Sequence, residues 1–253
     1  MSKLRILVAT GIFPPSVGGP ATYSKLLLDE LPERGIEVKI ASFDAVRRYP
    51  KIIRHILYIF LLFKKSKGIS HIYAQDPVSV GLPGLFVAKV LRKKFFIRVA
   101  GDYAWEQSAQ RFGVKDDIDS FQDKKYSWRV ELLRNIQRGV VSGADKVITP
   151  SDYFKDLVGK WSDEKNRVIR IYNGIELPNI SLDKESARKK LDIDKSEQVI
   201  ISAGRLVPWK GFSSLINIVG DIAKNNSKVR LFVLGDGPEK NNLLNEEIGR
   251  AHV

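Results

Sequence analysis

Cysteine is absent from this 253-residue chain, histidine occurs three times and methionine once. Without thiols there is no disulfide, thiolate metal site or cysteine nucleophile, and three scattered histidines do not make a zinc site. Long apolar runs are missing as well. The greasiest stretch, Ile52–Phe63, contains Arg54 and His55 and is about half a bilayer span, so it is not expected to cross a membrane. The amino terminus passes from Lys3 and Arg5 into Ile6-Leu7-Val8-Ala9, too short for a signal-peptide core, and Pro14-Pro15 follows. The expected location is the cytoplasm, including the inner face of the cell membrane. No G-x-G-x-x-G follows the first strand and no Walker lysine-serine pair occurs. Acids are scarce in one region: residues 47–98 carry 12 Lys and Arg against the single acid Asp76.

What is present reads as α/β. Hydrophobic residues make up 43% of the chain, enough for proper cores. Lys3–Thr10, Glu37–Phe43, His71–Ala74, Lys94–Ala100, Lys146–Thr149 and Val168–Ile171 are short apolar runs of the kind buried on both faces of a parallel sheet. Helical spacing lies between them: Ala21–Arg34, Tyr49–Lys65, Val78–Leu91 with a break at Pro83-Gly84, Tyr126–Val141, and Tyr153–Lys160 behind an N-cap at Ser151. Gly113–Lys125, polar and aperiodic, reads as a loop. Asn173-Gly174 is a turn signal leading to Pro178 and a polar stretch, so residues 1–178 form a first lobe. Residues 179–197 are a linker with a short helix at Ser186–Leu191, and a second lobe opens at 198. Asp192-Ile193-Asp194 lies in a polar turn and reads as solvated.

The chemistry concentrates at Ala203-Gly204-Arg205-Leu206-Val207-Pro208-Trp209-Lys210-Gly211, between the apolar run Val199–Ala203 and a helical pattern starting at Phe212. A strand ending in glycine, then two cations five residues apart before a helix start, is suited to an anion: helix N–H groups, the macrodipole and two full charges converge. The arginine fork and lysine point charge fit a diphosphate better than one carboxylate. From spacing alone, ordinary surface cations at a β-to-α turn are an equal reading. Gly18-Gly19 lets backbone approach a ligand because neither residue carries a Cβ, or is a plain flexible loop. Asp102 follows a strand, where open α/β sheets bind ligands, or caps the turn toward Tyr103. Gly235-Asp236-Gly237-Pro238-Glu239 is good turn chemistry before the helix from Lys240, and Pro238 suits an early helical position.

Taken in chain order, Gly18-Gly19, Asp102, Asn173-Gly174-Ile175-Glu176, Gly204 through Gly211, and Gly235 through Glu239 resemble the retaining glycosyltransferases of family 4. Those enzymes have two Rossmann-like lobes, the GT-B fold. The resemblance spans nearly the whole chain and implies sugar transfer from a nucleoside diphosphate sugar to a hydroxyl acceptor, in cell-envelope polysaccharide or glycolipid synthesis. It implies Arg205 and Lys210 on the donor diphosphate, Gly18, Gly19, Gly204, Gly235, Asp236 and Gly237 around the donor, and Asn173 and Gly174 at the lobe junction. Asp102 would orient the acceptor or the donor sugar. Relatives carry His-Asp at that strand end, and Gly101 stands here in place of the His. The resemblance implies no metal, since Arg205 and Lys210 can stabilise the departing diphosphate, and no cofactor beyond the sugar-nucleotide substrate. A nucleotide-sugar 2-epimerase of the same fold and a non-catalytic membrane or sugar-binding module are the rival readings.

The resemblance leaves the first lobe complete and the second, from 198 to 253, only begun, and the piece itself inactive. One strand follows Ala203, and the family's E-x7-E element and returning helix are not found. Ile248-Gly249-Arg250-Ala251-His252-Val253 back-translates to ATC GGA AGA GCA CAC GTC, read-through into a common sequencing-library adapter, so residues 248–253 are expected to be foreign. The cations of 47–98, Arg92-Lys93-Lys94 among them, are interleaved with Ile52, Ile56, Ile59 and Phe63. That pattern predicts contact with an anionic membrane surface and a glycan or lipid-linked acceptor. Packing of Ile52, Ile53, Ile56, Leu57, Phe60 and Leu61 on the sheet is the plainer expectation. No recognisable nucleic-acid motif accompanies the charge, so nucleic acid is not an expected partner.

Overall fold

A computed structural model describes residues 4–162, 165–174 and 181–248. Ile175, Glu176, Pro178 and the tail from Gly249, named in the sequence reading, lie outside the described residues. Contacts group the chain into two compact units, 1–175 and 176–253.

The first unit runs β1 (Arg5–Thr10), α1 (Gly19–Glu30), β2 (Glu37–Ser42), α2 (Lys51–Lys65), β3 (His71–Ala74), α3 (Leu82–Val90), β4 (Lys94–Arg98), α4 (Tyr103–Arg111), α5 (Ile118–Asp123), α6 (Trp128–Ser142), β5 (Lys146–Thr149), α7 (Asp152–Gly159) and β6 (Val168–Arg170). Its six strands form one sheet in the order β2-β1-β3-β4-β5-β6, every neighbouring pair parallel. Leu7, Val8, Ile72, Ile97 and Val147 are fully buried, which explains why the strands read as unbroken apolar runs: helices cover both faces. Since all strands point one way, their carboxyl ends share one edge, where Thr10, Ala74, Arg98 and Thr149 give way to loops.

Three sequence expectations are corrected here. Gly113–Lys125 is not a loop throughout: Asp117 caps α5 by accepting from Asp119 and Ser120 N–H, and Phe121 is buried with Ala104 and Val130. An acidic cap and one aromatic anchor outweigh the missing periodicity. The break expected at Pro83-Gly84 falls earlier, at a π-turn over Pro77–Gly81. Asp76 Oδ1 accepts there from the N–H groups of Val78, Ser79 and Val80, while Pro83 sits in the first turn of α3, where its missing N–H costs nothing.

The third concerns α2. Tyr58 and Leu62 are its buried residues, with the Tyr58 hydroxyl donating to Ala41 O at 2.8 Å. Leu57, Ile59, Leu61 and Phe63 pack partly on the core. Ile52, Ile53, Ile56 and Phe60, expected against the sheet, are instead exposed, Ile52 to 78% and Phe60 to 65%. The helix is apolar on most of its circumference, so periodicity did not say which stripe faces inward.

The second unit contains α8 (Lys184–Lys190), β7 (Gln198–Ala203), α9 (Phe212–Ala223), β8 (Val229–Leu234) and α10 (Lys240–Ile248), with β7 and β8 parallel. Leu206, Phe212, Ile216, Val219, Leu231 and Leu243 form its core. The stretch around α8, read as a linker, is tied into this unit. Arg188 donates to Asp194 O and Glu197 O, and Arg230 to Asp192 O and to the Glu197 carboxylate. Asp194 Oδ1 accepts from Ser196 N–H and Oγ–H, so its carboxylate closes its own turn.

Candidate functional site

In the second unit two glycine turns leave the carboxyl ends of paired strands and lie backbone to backbone. Gly204 N–H donates to Leu234 O at 2.9 Å, Leu206 N–H to Asp236 O at 3.0 Å, and Glu239 N–H to Leu206 O at 3.1 Å. A Cβ on Gly235 would fall 1.9 Å from Gly204 O, and one on Gly237 2.3 Å from Leu206 O. These glycines are therefore required by the mating of the turns, whatever approaches from outside. Gly237→Ala should lower the stability of this unit by about 3 kcal/mol, the upper end of overpacking costs, because the atom met is backbone. Thermal unfolding of the chain checks this, and an unchanged midpoint would show the turns to be pliable.

The turn sorts its side chains. Leu206 and Val207 are buried, while Arg205 and Lys210 are exposed. Neither cation is ion-paired with a carboxylate among the described residues. A 3-10 turn, Pro208–Lys210, separates the strand from α9, and Gly211 caps α9 at φ 72°, a left-handed conformation natural to glycine. Lys210 thus stands just ahead of the α9 start, whose first N–H groups lack a side-chain cap. Asp236 is exposed, and its Oδ1 accepts from Gly237 N–H at 2.8 Å. Gly204, Arg205, Lys210, Gly235, Asp236 and Gly237 are in this way gathered on two adjoining turns.

In the first unit, Gly18 precedes α1 with φ 152°, and a Cβ there would meet Ile12 Cδ1 at 2.8 Å. Gly19 has open space around it, and α1 has no side-chain cap. Asp102 is 1% exposed. It caps α4 by accepting from Trp105 N–H at 3.0 Å, and also accepts from Gln137 Nε2 at 3.0 Å and Gln122 Nε2 at 2.9 Å. Both amides are held in turn, Gln137 Oε1 by Ala104 N–H and Gln122 Oε1 by the Trp161 indole. A Cβ on Gly101 would meet Glu106 Oε1 at 2.6 Å. Asn173 is exposed and accepts from Arg98, and Gly174 has open space around it.

Three residues at the strand ends were missed. Asp76 follows β3, and burial pushes its carboxyl above the usual range despite three backbone donors. Gln75 and Arg98, at the ends of β3 and β4, are buried polar side chains. A cation closing the apolar run Phe95-Phe96-Ile97 was the available signal for Arg98.

The class these features define is an α/β fold of the GT-B type, with Rossmann-like lobes. Solved structures share it: sucrose-phosphate synthase from Thermosynechococcus elongatus has a TM-score of 0.70 at 15% identity, over 96% of this chain and 67% of that one. HepE from Anabaena, solved in complex with UDP and glucose, has a TM-score of 0.68 at 14% identity, over 96% and 65%. Residues 183–248 match the family of glycosyl transferases group 1. Among relatives in sequence, the alpha-monoglucosyldiacylglycerol synthase of Streptococcus pneumoniae is 29% identical over 268 residues, covering 95% of this chain. The processive diacylglycerol alpha-glucosyltransferase of Acholeplasma laidlawii is 32% identical over 146 residues, covering 56% of this chain. The chain spans 57% and 41% of the lengths of these two relatives.

Proposed function

We propose that the complete polypeptide transfers a sugar, glucose by the likeness to the two diacylglycerol glycosyltransferases, from a UDP-sugar to a hydroxyl of a membrane lipid, making a glycolipid with retention at the anomeric carbon. The observation that carries this reading is the pair of mated turns holding Arg205 and Lys210 exposed and, among the described residues, without counter-ions. Two cations aimed at a departing diphosphate stabilise the charge it develops as the anomeric C–O bond breaks. The acceptor oxygen then bonds the same face of that carbon and its proton passes to a phosphate oxygen, so no enzymic nucleophile and no metal ion is needed. Asp102 acts here as a positioning residue through Gln122 and Gln137. Supplying UDP-glucose and diacylglycerol vesicles to the complete polypeptide, and finding no labelled glycolipid, would defeat the proposal.

The exposed stripe on α2 gives the acceptor's side of this reading. Ile52, Ile56 and Phe60 continue into exposed Leu82, Phe86 and Val90 on α3, whose Phe86 ring meets Phe63 edge-on at 6.3 Å. Arg48, Lys64, Lys67, Lys89 and Arg92 are exposed cations of the same region. Lys93 and Lys94, counted among the lipid-facing cations from sequence, are engaged elsewhere: Lys93 donates to Ile69 O and Lys94 pairs with Asp145 at 2.7 Å. Arg98 is buried. An apolar ridge ringed by cations fits an anionic lipid surface, where each basic residue contributes about 1 kcal/mol. The chain should co-sediment with phosphatidylglycerol vesicles at least tenfold more than with phosphatidylcholine at low salt, fading as salt rises. Ile52→Ser with Phe60→Ser should weaken this binding. Equal binding to both lipids would leave the ridge without this role.

A further inference from the structure

The last row of the first sheet contains a cation with no counter-ion among the described residues. Arg98 is 6% exposed, and no carboxylate pairs with it among the described residues. Its Nη2 donates to Asn173 Oδ1 at 2.7 Å, and its guanidinium lies 4.3 Å from the centre of the Tyr23 ring. Neither partner cancels the charge, and a buried uncompensated cation is costly unless something anionic completes it.

Beside it is a second unsatisfied group. The β3–β4 register pairs Tyr73 with Phe96 and Ala74 with Ile97, so one further step puts Gln75 next to Arg98. On its β1 side Gln75 is still tied to the sheet, its N–H donating to Ala9 O at 3.0 Å, so the strand holds its place one residue past Ala74. Neighbours in one row of a parallel sheet project from the same face, about 5 Å apart. Gln75 is 4% exposed, and both its Nε2 and its Oε1 are without a partner among the described residues. Tyr73, two residues earlier on that face, has its hydroxyl 3.4 Å from that of Tyr23. Burial and the neighbouring Tyr23 push the Tyr73 phenol well up, so it stays protonated. Because Asn173 Oδ1 faces Arg98, its Nδ2 is turned away as a further donor. Tyr23 is half-buried and Asn173 exposed, so the group opens to solvent past these two side chains.

We infer that Arg98, Gln75, Tyr23 and Asn173 form an oxyanion site at the carboxyl edge of the first sheet, and that its ligand is a phosphoryl group carried next to a hydroxyl. The set offers one cation and several neutral donors with no acid among them, which selects an anion. Arginine's fork spans two phosphoryl oxygens, and Gln75 Nε2 donates to one of them. Gln75 Oε1, the remaining unpartnered acceptor, takes the adjacent hydroxyl. The site lies wholly within the first unit and does not depend on the transferase reading.

Two sources supply this chemistry, the phosphates of a nucleotide and those of a phosphorylated polyol. Both are tested on the 253-residue chain carrying Arg205→Ala and Lys210→Ala, which silences the basic turn of the second unit. Titration calorimetry with UDP and with glycerol 3-phosphate should detect binding of at least one probe, and the tighter probe identifies the source. Adding Arg98→Gln should weaken that binding at least tenfold. Gln75→Glu should do the same while raising the thermal midpoint, because it supplies the missing counter-ion in place. This second variant decides the matter even if Arg98→Gln unfolds the unit. If the double variant binds neither probe, or binding survives Gln75→Glu unchanged, the site does not exist. A complete polypeptide that keeps this site yet transfers no sugar would sink the transferase reading alone.

Discussion

Arg205→Ala and Lys210→Ala should each lower the UDP affinity of the chain tenfold to a hundredfold, while Lys195→Ala leaves it within experimental error. The physical basis is the difference between a charge waiting for a ligand and one already satisfied. Arg205 and Lys210 are exposed on a turn whose neighbours Leu206 and Val207 are locked in the core, so they are held in place yet unpaired among the described residues. A charge-assisted hydrogen bond to phosphate is worth about 1.5–3 kcal/mol, which is the stated range of affinity. Lys195 sits in the same unit but pairs with Glu185 at 2.9 Å, both side chains far out in solvent. Its removal tests whether net charge alone attracts the nucleotide. Equal losses at all three positions, measured by titration calorimetry at fixed salt, would mean that the basic turn holds no special position.

Asp102→Ala should destabilise the first unit by about 3 kcal/mol, and Asp102→Asn by clearly less. Alanine removes the acceptor for the Trp105 N–H and leaves the Gln122 and Gln137 amides facing an empty buried space. Each unsatisfied buried donor costs about 1–3 kcal/mol, and a lost helix cap about 1 kcal/mol, with overlap between them. Asparagine keeps one oxygen for two of the three donors. The measurement is denaturant unfolding followed by Trp fluorescence. If Asp102→Ala unfolds like the unaltered chain, the carboxylate is not a structural knot. A direct contact with acceptor or donor sugar would then be the better account of its place at the end of β4.

The strands and the site turn were legible because their signals are local. Six apolar runs separated by helical spacing gave the six parallel strands within a residue or two, because strands buried on both faces read as continuous apolar runs. Gly204 through Gly211 likewise announced a strand, a turn and a helix in eight residues. Where signals depended on partners far along the chain, reading failed. The polar stretch before Lys125 hid α5, whose stability comes from Phe121 meeting Ala104 and Val130. Gly235 and Gly237 looked like ligand-facing glycines, and their tight fit to Gly204 and Leu206 is a fact of strand pairing.

The amino-acid sequence by itself determined the α/β class, the strand order along the chain and the chemical character of the basic turn, because backbone propensity, apolar periodicity and charge are written residue by residue. Tertiary structure alone decided which face of α2 stays exposed, that Asp102 is held by Gln122 and Gln137, and that Arg98 is buried against Asn173 with no carboxylate paired to it among the described residues. Burial and pairing are properties of neighbours brought together across 20 to 75 positions of chain, such as Arg98 with Asn173, and no local pattern specifies whether a charge so enclosed will find its partner within the fold or take it from a ligand.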